Sequence, residues 1–307
     1  MKSLDRYFRG LLYHVLEKTA ALWPDKLYIQ LRWKACGLKY PLNLKEPRTF
    51  NEKLQWLKLY DRNPLYTKLV DKYLVKSYIA NRGGVRIIPT LGVYDRFEDI
   101  DFTKLPNQFV LKTTHDSGTV IICKDKKTFD RQAARKRLNK RMKEKYWLYD
   151  REWPYKNVHP RIIAEQFMVD ESGYELKDYK WFCFAGEPKY LFIATERENP
   201  NEETKFDFFD MDFNHLPITN GHPNATKPIA KPKGFDEMKE IARNLSQGMP
   251  HVRVDLYDIN GEIYFGELTF CHWGGWVSFK PEEWDYKFGE LIELPEKITS
   301  QRRYEKN

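Results

Sequence analysis

The sequence predicts an α+β fold, because a helical N-terminal part is followed by strands and helices in irregular succession. Residues 1–63 read as helices broken at Pro24, Gly37 and Pro41. From residue 108 onward, apolar runs of strand length take over, and the last two flank Asn260-Gly261, a typical turn pair. A chain of 307 residues can bury a substantial core, as one unit with subdomains or as two domains.

The first elements form a predicted helical extension. Apolar residues recur at helical spacing between Leu4 and Leu16 with basic residues interleaved, which is typical both of an interfacial membrane helix and of a helix docked on the protein. A further helix, capped by Asn51, is predicted to run through Leu59. A helix over 65–81 and a short strand over 85–88 follow.

The central part alternates strands, loops and helices. Strands are predicted over 109–112, 119–123, 161–167, 180–184 and 189–194, and helices over 125–146 and 235–248. The polar stretch 197–234 is a long excursion of the kind that carries substrate contacts.

The last hairpin places charges where a strand does not need them. Arg253 and Asp255 share one face of the first strand, and Glu267 and Thr269 share one face of the second. A three-residue loop over 259–261 would set Asp255 opposite Phe265 and diagonal to Glu267. Two carboxylates beside an arginine are typical of a Mg²⁺-nucleotide site, but a solvated hairpin with surface ion pairs fits the hairpin alone equally well.

A second segment has the residue types of a phosphate cradle. The apolar strand 109–112 ends in Lys112, and Thr113, Thr114, Ser117 and Gly118 follow in a small hydroxyl-rich loop. Backbone N–H groups and hydroxyls can surround phosphate oxygens while the lysine supplies charge. The alternative is an ordinary hairpin loop.

The composition of the chain limits the classes of binding partner and indicates the cellular compartment. The formal net charge of +8 favours acidic partners, namely nucleotide phosphates, acidic glycans, anionic lipids or nucleic acid. Four widely spaced cysteines, without a signal-peptide pattern or a membrane-length apolar run, predict a cytoplasmic protein. The basic stretch 125–146 reads as a solvated helix or as a surface that attracts an acidic acceptor. It lacks the interleaved aromatics of single-strand binding surfaces, which disfavours nucleic acid.

The order of these segments resembles the ATP-grasp superfamily over about residues 64–295. The hairpin is similar to the metal-binding end of D-alanine:D-alanine ligases. Residues 49–56, 178–184 and Glu152-Trp153 resemble the TupA-like polysaccharide-biosynthesis branch. The resemblance implies two α+β subdomains that grip ATP, with a lid over about 108–168 and the metal and acceptor subdomain in the remainder, between the helical region 1–63 and a polar tail 296–307.

The resemblance also implies ATP and one or two Mg²⁺ ions, and it assigns residues to each part of the site. Phosphate contacts fall to Lys72, Lys112, Thr113, Thr114, Ser117 and Gly118, and adenine contacts to Glu165, Gln166 and Phe167. Asp178 would bind the ribose, Asp255, Glu267 and Thr269 would ligate the metal, and Arg253 would stabilise the intermediate. Lys180 and Lys205 are further candidates for phosphate contact, with surface lysines as the alternative. Thr269 stands where the family usually has asparagine. This residue would be a ligand of the second Mg²⁺, so the number of ions is left at one or two.

Candidate acceptor residues follow the metal strand. His272 comes directly after it, and Gly274 and Gly275 would let the backbone approach an acceptor. Glu152 would line the way in. The alternatives are a histidine satisfied within the structure and, around Glu152, a buried tryptophan anchor.

The resemblance implies an ATP-dependent carboxylate–amine ligase that forms an amide through an acyl phosphate. Its branch suggests an amino acid joined to a uronic-acid-containing cell-surface glycan or its lipid-linked precursor. The amphipathic pattern of residues 1–20, and not the resemblance, suggests peripheral membrane contact. The alternatives are a glycosyltransferase using Asp210-Met211-Asp212, a nucleic-acid binder using 125–146, and a phosphotransferase on the same fold.

Overall fold

The computed structural model describes residues 2–173, 176–197 and 201–297. Its helices are α1 (Lys2–Lys18), α2 (Asp25–Cys36), α3 (Phe50–Tyr60), α4 (Leu65–Val70), α5 (Leu74–Arg82), α6 (Arg131–Arg141), α7 (Trp147–Asp150), α8 (Phe235–Leu245) and α9 (Glu283–Glu290). Its strands are β1 (Arg86–Ile87), β2 (Thr90–Tyr94), β3 (Phe109–Thr113), β4 (Val120–Cys123), β5 (Ile162–Gln166), β6 (Asp178–Phe184), β7 (Glu187–Thr195), β8 (Lys205–Phe209), β9 (His215–Leu216), β10 (His251–Ile259) and β11 (Glu262–Thr269).

The strands form two sheets. The larger has the order β1-β11-β10-β6-β7-β8-β9, and the smaller has the order β2-β5-β3-β4. All the pairings are antiparallel except β1 with β11. Three strands of the smaller sheet lie within the predicted lid, 108–168, and β2 lies ahead of it. Most of the predicted tail, 296–307, lies outside the described residues.

The turn between β10 and β11 differs from its prediction. The loop has two residues, not three, because Asn260 (φ 56°) and Gly261 (φ 85°) both adopt the left-handed conformation that a type I′ turn requires. Ile259 therefore pairs with Glu262.

The predicted register of this hairpin is also wrong. Phe265 pairs with Leu256, and the ladder then shifts so that Asp255 pairs directly with Glu267. Gly266 is the extra residue of this β-bulge. A Cβ at Gly266 would lie 2.9 Å from the carbonyl oxygen of Asp255, so only glycine fits the close approach.

Several predicted helix boundaries also change. Thr49, not Asn51, caps α3, in a capping box with Glu52. The helix predicted over 65–81 is two helices, α4 and α5, separated at Asp71–Tyr73. The basic helix predicted over 125–146 is confined to α6, because the Asp130 side chain accepts the amide hydrogen of Ala133 and starts the helix there.

The N-terminal helices dock on the rest of the protein. Leu16 and Tyr28 are buried in an apolar cluster, and Leu148 on α7 packs against the same cluster. The opposite side of α1 is exposed. None of the helices among the described residues combines the length and the apolar character needed to cross a bilayer.

Candidate active site

The charged residues of the last hairpin form one cluster on the larger sheet. Arg253 on β10 donates from Nε and Nη2 to the two carboxylate oxygens of Asp255, each at 2.7 Å. Its Nη2 also lies 3.0 Å from Thr269 Oγ1 and 3.4 Å from Glu267 Oε1. Lys180, on the neighbouring strand β6, donates to Asp255. The predicted convergence of Asp255 and Glu267 beside an arginine is what the structure shows.

Burial and charge act in opposite directions on the two carboxylates. Burial raises the pKa of Glu267, but the positive charges of Lys180 and Arg253 outweigh it and lower the pKa to about 2. Burial raises the pKa of Asp255, against the attraction of Arg253. Asp255 is fully buried, whereas the Glu267 side chain is 39 % exposed and faces a cavity.

The donor set suits a hard cation. Asp255 and Glu267 offer carboxylate oxygens, Thr269 offers a hydroxyl, and the nearby Oδ1 of Asp178 is buried with no hydrogen-bond partner among the described residues. Oxygen ligands of this kind are those that Mg²⁺ takes in proteins. Within the described residues, no group of three or more His, Cys, Asp or Glu side chains is arranged to hold a metal ion. The assignment of the ligands and the number of ions stay predictions.

A cleft of about 190 Å³ lies between the two sheets and is lined by the predicted phosphate lysines, Lys72, Lys112 and Lys180. Glu165 on β5 pairs with Lys112 at 2.6 Å and with Lys76 at 2.5 Å. Burial raises the pKa of Glu165, but the two lysines outweigh it and lower the pKa. Lys76 was not predicted, although it lies four residues after Lys72 and within the helix predicted over 65–81.

The loop between β3 and β4 brings only part of its predicted residues to this cleft. Ser117 and Gly118 line it. The Thr113 hydroxyl donates to Asp116, and the Thr114 hydroxyl donates to the carbonyl of His159 at 3.2 Å. Both threonines are fully buried, and their hydroxyl groups are occupied by these hydrogen bonds within the protein. They therefore stabilise the loop and do not face the cleft.

Only some of the residues predicted to bind adenine and ribose line the cleft. Asp178 lines the cleft and pairs with Lys180 at 2.6 Å and with Arg197 at 2.8 Å. Gln166 is exposed, its backbone N–H donates to Pro89, and neither it nor Phe167 lines the cleft. Their part in adenine recognition stays a prediction.

A larger cavity of about 720 Å³ adjoins the cleft. Ser117, Lys180, Arg197 and Glu267 line both, so the charged cluster lies where the two spaces meet. We refer to the smaller space as the nucleotide cleft and to the larger as the acceptor cavity, after the ligands that the sequence predicts for the residues in their walls. Aromatic side chains line the acceptor cavity, including Tyr146, Tyr155, Phe192, Phe206, Trp273 and Trp276.

Three of the predicted acceptor residues, Glu152, His272 and Gly274, line this cavity. His272 accepts at Nδ1 from Arg253 Nη1 at 2.6 Å and donates from Nε2 to Asn220 at 2.8 Å. Burial and the charge of Arg253 hold the pKa of His272 well below its usual value, so the ring is neutral. Gly275 does not line the cavity, and its carbonyl accepts from Gln55 at 2.9 Å.

The N-terminal extension builds one wall of the acceptor cavity. Arg32 on α2 pairs with Asp150 at the end of α7 at 2.9 Å, and Trp276 Nε1 donates to the same carboxylate at 2.8 Å. Tyr13, Arg32 and Asp150 all face the cavity. These residues were not predicted, because nothing in the local sequence links positions so far apart.

Comparison with known proteins identifies the family. The family model described as TupA-like ATPgrasp matches residues 52–293. The chain belongs to this family. Membership confirms the resemblance and the α+β ATP-grasp fold predicted from the sequence. No curated protein matches the chain.

Solved structures of ATP-grasp ligases are similar to this family member. D-alanine--D-alanine ligase from Bacillus anthracis, complexed with ATP, has 13% identity over 66% of this chain and 54% of that chain, with a TM-score of 0.39. L-amino acid ligase from Bacillus licheniformis has 14% identity over 75% of this chain and 48% of that chain, with a TM-score of 0.45. ATP-grasp ligase PsnB, complexed with minimal precursor, Mg and ADP, has 9% identity over 85% of this chain and 66% of that chain, with a TM-score of 0.40. The chain thus spans about half of the first two proteins.

Proposed function

We propose that the protein is an ATP-dependent carboxylate–amine ligase that forms an amide bond through an acyl phosphate. The observation that carries this proposal is the charged cluster at the junction of two cavities: Lys180, Arg197 and Glu267 line both. A phosphoryl group at the inner end of the nucleotide cleft would meet a carboxylate in the acceptor cavity there. Family membership supports the same class of enzyme.

The reaction has two steps. A carboxylate oxygen of one substrate attacks the γ-phosphorus of ATP, the bond from that phosphorus to ADP breaks, and an acyl phosphate forms. The amine of the second substrate then attacks the carbonyl carbon, a C–N bond forms, and phosphate leaves. Both steps place negative charge at the junction, where cationic groups stabilise it more strongly than water does.

Each residue of the cluster has a role in this scheme. Lys72 and Lys112 bind the phosphate groups of ATP in the nucleotide cleft. Arg253 lies in the wall of the acceptor cavity, held by Asp255 and by the neutral His272, and stabilises the charge that develops on the carbonyl oxygen. Asp255 and Glu267, with Thr269, would hold Mg²⁺, which supplies neutralisation of phosphate charge when bound.

We further propose that one substrate is an amino acid and the other a uronic-acid-containing cell-surface glycan or its lipid-linked precursor. What supports a glycan is the wide acceptor cavity with its aromatic walls, and Trp273 in it is 41 % exposed. Aromatic faces with polar neighbours suit ligands of mixed polarity. Arg32 and Arg197 in the same walls would favour a carboxylate.

We place the enzyme in the cytoplasm, in contact with the inner face of the membrane through residues 1–20. Tyr7, Phe8 and Leu11 on the outer side of α1 are 66 %, 58 % and 50 % exposed, whereas Leu16 packs inward. Apolar side chains on an exposed basic helix favour an anionic bilayer. Sedimentation with phosphatidylglycerol vesicles tests this: the protein should bind, Leu11→Glu should weaken binding about tenfold, and no binding at low salt overturns the placement.

The ligase proposal is tested by product analysis. The purified protein with ATP and Mg²⁺ should release ADP only when both a carboxylate and an amine are present, and mass spectrometry should find the amide. In cells lacking the protein, the surface glycan should lose an amino-acid amide. ADP release with a phosphorylated product would show a phosphotransferase instead, and ATP binding without ADP release from any mixture of uronic acids and amino acids would contradict ligation.

The other functions considered from the sequence have weaker support. Asp210, the first acid of the suggested nucleotide-sugar motif, accepts backbone N–H groups of Asp212 and Asn214 and so closes the turn after β8. In the basic helix α6, Arg135 pairs with Glu98, and Arg141 pairs with Asp116. Neither observation favours a glycosyltransferase or a nucleic-acid binder.

A further inference from the structure

The acceptor cavity contains a buried carboxyl group that the scheme above does not use. Glu152 is 6 % exposed and lines the cavity together with Arg253 and Glu267. The other two carboxylates in these walls have cationic partners, because Asp150 pairs with Arg32 and Glu267 with Arg253. Among the described residues, Glu152 has no ion pair.

The groups around Glu152 come from four parts of the chain. Lys58 on α3 is the nearest basic group, but its Nζ donates to Gln55 Oε1 at 2.9 Å and to the carbonyl of Gly274 at 2.5 Å. The remaining titratable neighbours are neutral or acidic, namely Tyr146, Asp150, Tyr155, Glu267 and Cys271. Burial and the charge of Asp150 together raise the pKa of Glu152, although Lys58 opposes them.

The backbone next to Glu152 is held firmly by the N-terminal extension. Arg151 has a left-handed conformation (φ 57°), which is costly for a residue with a side chain. Its guanidinium compensates by donating to the carbonyls of Ala20 at 2.6 Å and Trp23 at 3.1 Å, and it lies over the ring of Tyr28. The position of Glu152 in the cavity wall is therefore fixed by contacts outside the cavity.

An amine substrate needs a group of this kind. At neutral pH an alkyl amine is an ammonium ion, which has no free electron pair and cannot attack the acyl phosphate. A buried carboxyl group without a cationic partner gains one when the ammonium binds, which favours its ionised form, and a carboxylate whose pKa is raised by burial is a stronger base than an exposed one. The aromatic side chains beside Glu152 also favour a cation.

We propose that Glu152 binds the ammonium group of the amine substrate and accepts its proton. This assignment rests on the ligase function proposed above. One proton passes from nitrogen to a carboxylate oxygen of Glu152, and the freed electron pair forms the C–N bond. The C–O bond to phosphate breaks, and the second nitrogen proton leaves with the phosphate.

Hydroxylamine as the amine distinguishes proton acceptance by Glu152 from a structural role of this residue. It is unprotonated at neutral pH and traps acyl phosphates as hydroxamates, so it needs no proton acceptor. Glucuronate, galacturonate and the twenty protein amino acids serve as carboxylates, with either hydroxylamine or an amino acid as the amine. Glu152→Gln should keep hydroxamate formation within about twofold and lower amide formation by about 10²-fold. Its amide rate should approach that of the wild type as the pH is raised and the amine loses its proton.

A matched control and the opposing outcomes complete the test. Glu237→Gln, an exposed acid on α8, should change neither rate. An equal fall of hydroxamate and amide formation in Glu152→Gln, or a defect that does not shrink at high pH, overturns the assignment and leaves Glu152 as a structural residue. Absence of hydroxamate with the wild-type protein instead rejects the ligase function, and the assignment with it.

Discussion

The nucleotide cleft and the acceptor cavity meet at one cluster, yet they are built in different ways. The cleft lies between two sheets, and its lysines and acids neutralise one another across strands, as Lys112 does with Glu165. Several aromatic side chains line the acceptor cavity, and one of its walls depends on contacts from α2 to α7. The two sheets, the region around α5 and the loop between β3 and β4 build the cleft, whereas the acceptor cavity also needs the N-terminal extension.

The largest expected effect comes from the charged cluster where the two spaces meet. Asp255→Asn should lower ADP formation on the order of 10³-fold, because the neutral amide binds neither a cation nor Arg253 as strongly as the carboxylate does. The measurement is ADP release under saturating ATP. The control is Glu262→Gln on the next strand, whose 48 % exposed side chain pairs with Arg86 and accepts from the Tyr264 hydroxyl. Full activity of Asp255→Asn would show that the cluster is not the reaction centre.

A second substitution should have a smaller effect, on the acceptor cavity but not on the nucleotide cleft. Arg32→Leu leaves Asp150 without its cation and should raise the KM of the acceptor about tenfold, with ATP affinity unchanged. Removing one partner of a largely buried pair should also lower the free energy of unfolding by about 3 kcal/mol. Calorimetric titration with a non-hydrolysable ATP analogue and steady-state kinetics provide the two measurements.

The control for this second variant is Lys34→Leu, an exposed position on the same helix. It should change neither quantity. If Arg32→Leu weakens ATP binding as much as acceptor binding, the extension supports the whole site and the distinction between the two spaces fails.

The smallest effect concerns the sheet beneath both spaces. Burial lowers the pKa of His251 to about 3, so between pH 6.5 and 3 the unfolded chain binds a proton that the folded protein does not. Stability from this group is complete above pH 6.5 and falls as the pH is lowered, by at most about 1.4 kcal/mol per pH unit. His251→Phe should therefore gain stability relative to wild type on going from pH 7 to pH 5. Thermal denaturation measures this gain, and His159→Gln, 69 % exposed, should show none.

The sequence was most informative where function depends on alternation along single strands. Arg253, Asp255, Glu267 and Thr269 lie at alternate positions, so their grouping on one face follows from strand geometry. The exact register did not follow, because Asn260-Gly261 fits both a two-residue turn and a three-residue loop. The capping box of Thr49 and Glu52 was visible in the sequence and was overlooked.

The acceptor cavity was far less predictable. Its wall joins α2 to α7 through Arg32 and Asp150, and no local spacing records a contact between residues so distant in the chain. Burial decides the properties of Glu152, and burial depends on what covers a residue in three dimensions. Lys76 is the intermediate case, since its helical spacing from Lys72 was readable but its partner Glu165 was not.

The bulge at Gly266 determines which face of the sheet each later residue of β11 occupies. If the strand had no bulge and Gly266 paired with Asp255, Glu267 would pair with Val254 and enter the apolar layer, and Thr269 would pair with Val252. With the bulge, both side chains cross to the face of Asp255 and Arg253. A ladder in which Gly266 paired as an ordinary residue would leave the composition of the strand unchanged and yet exchange its chemical side for its core side.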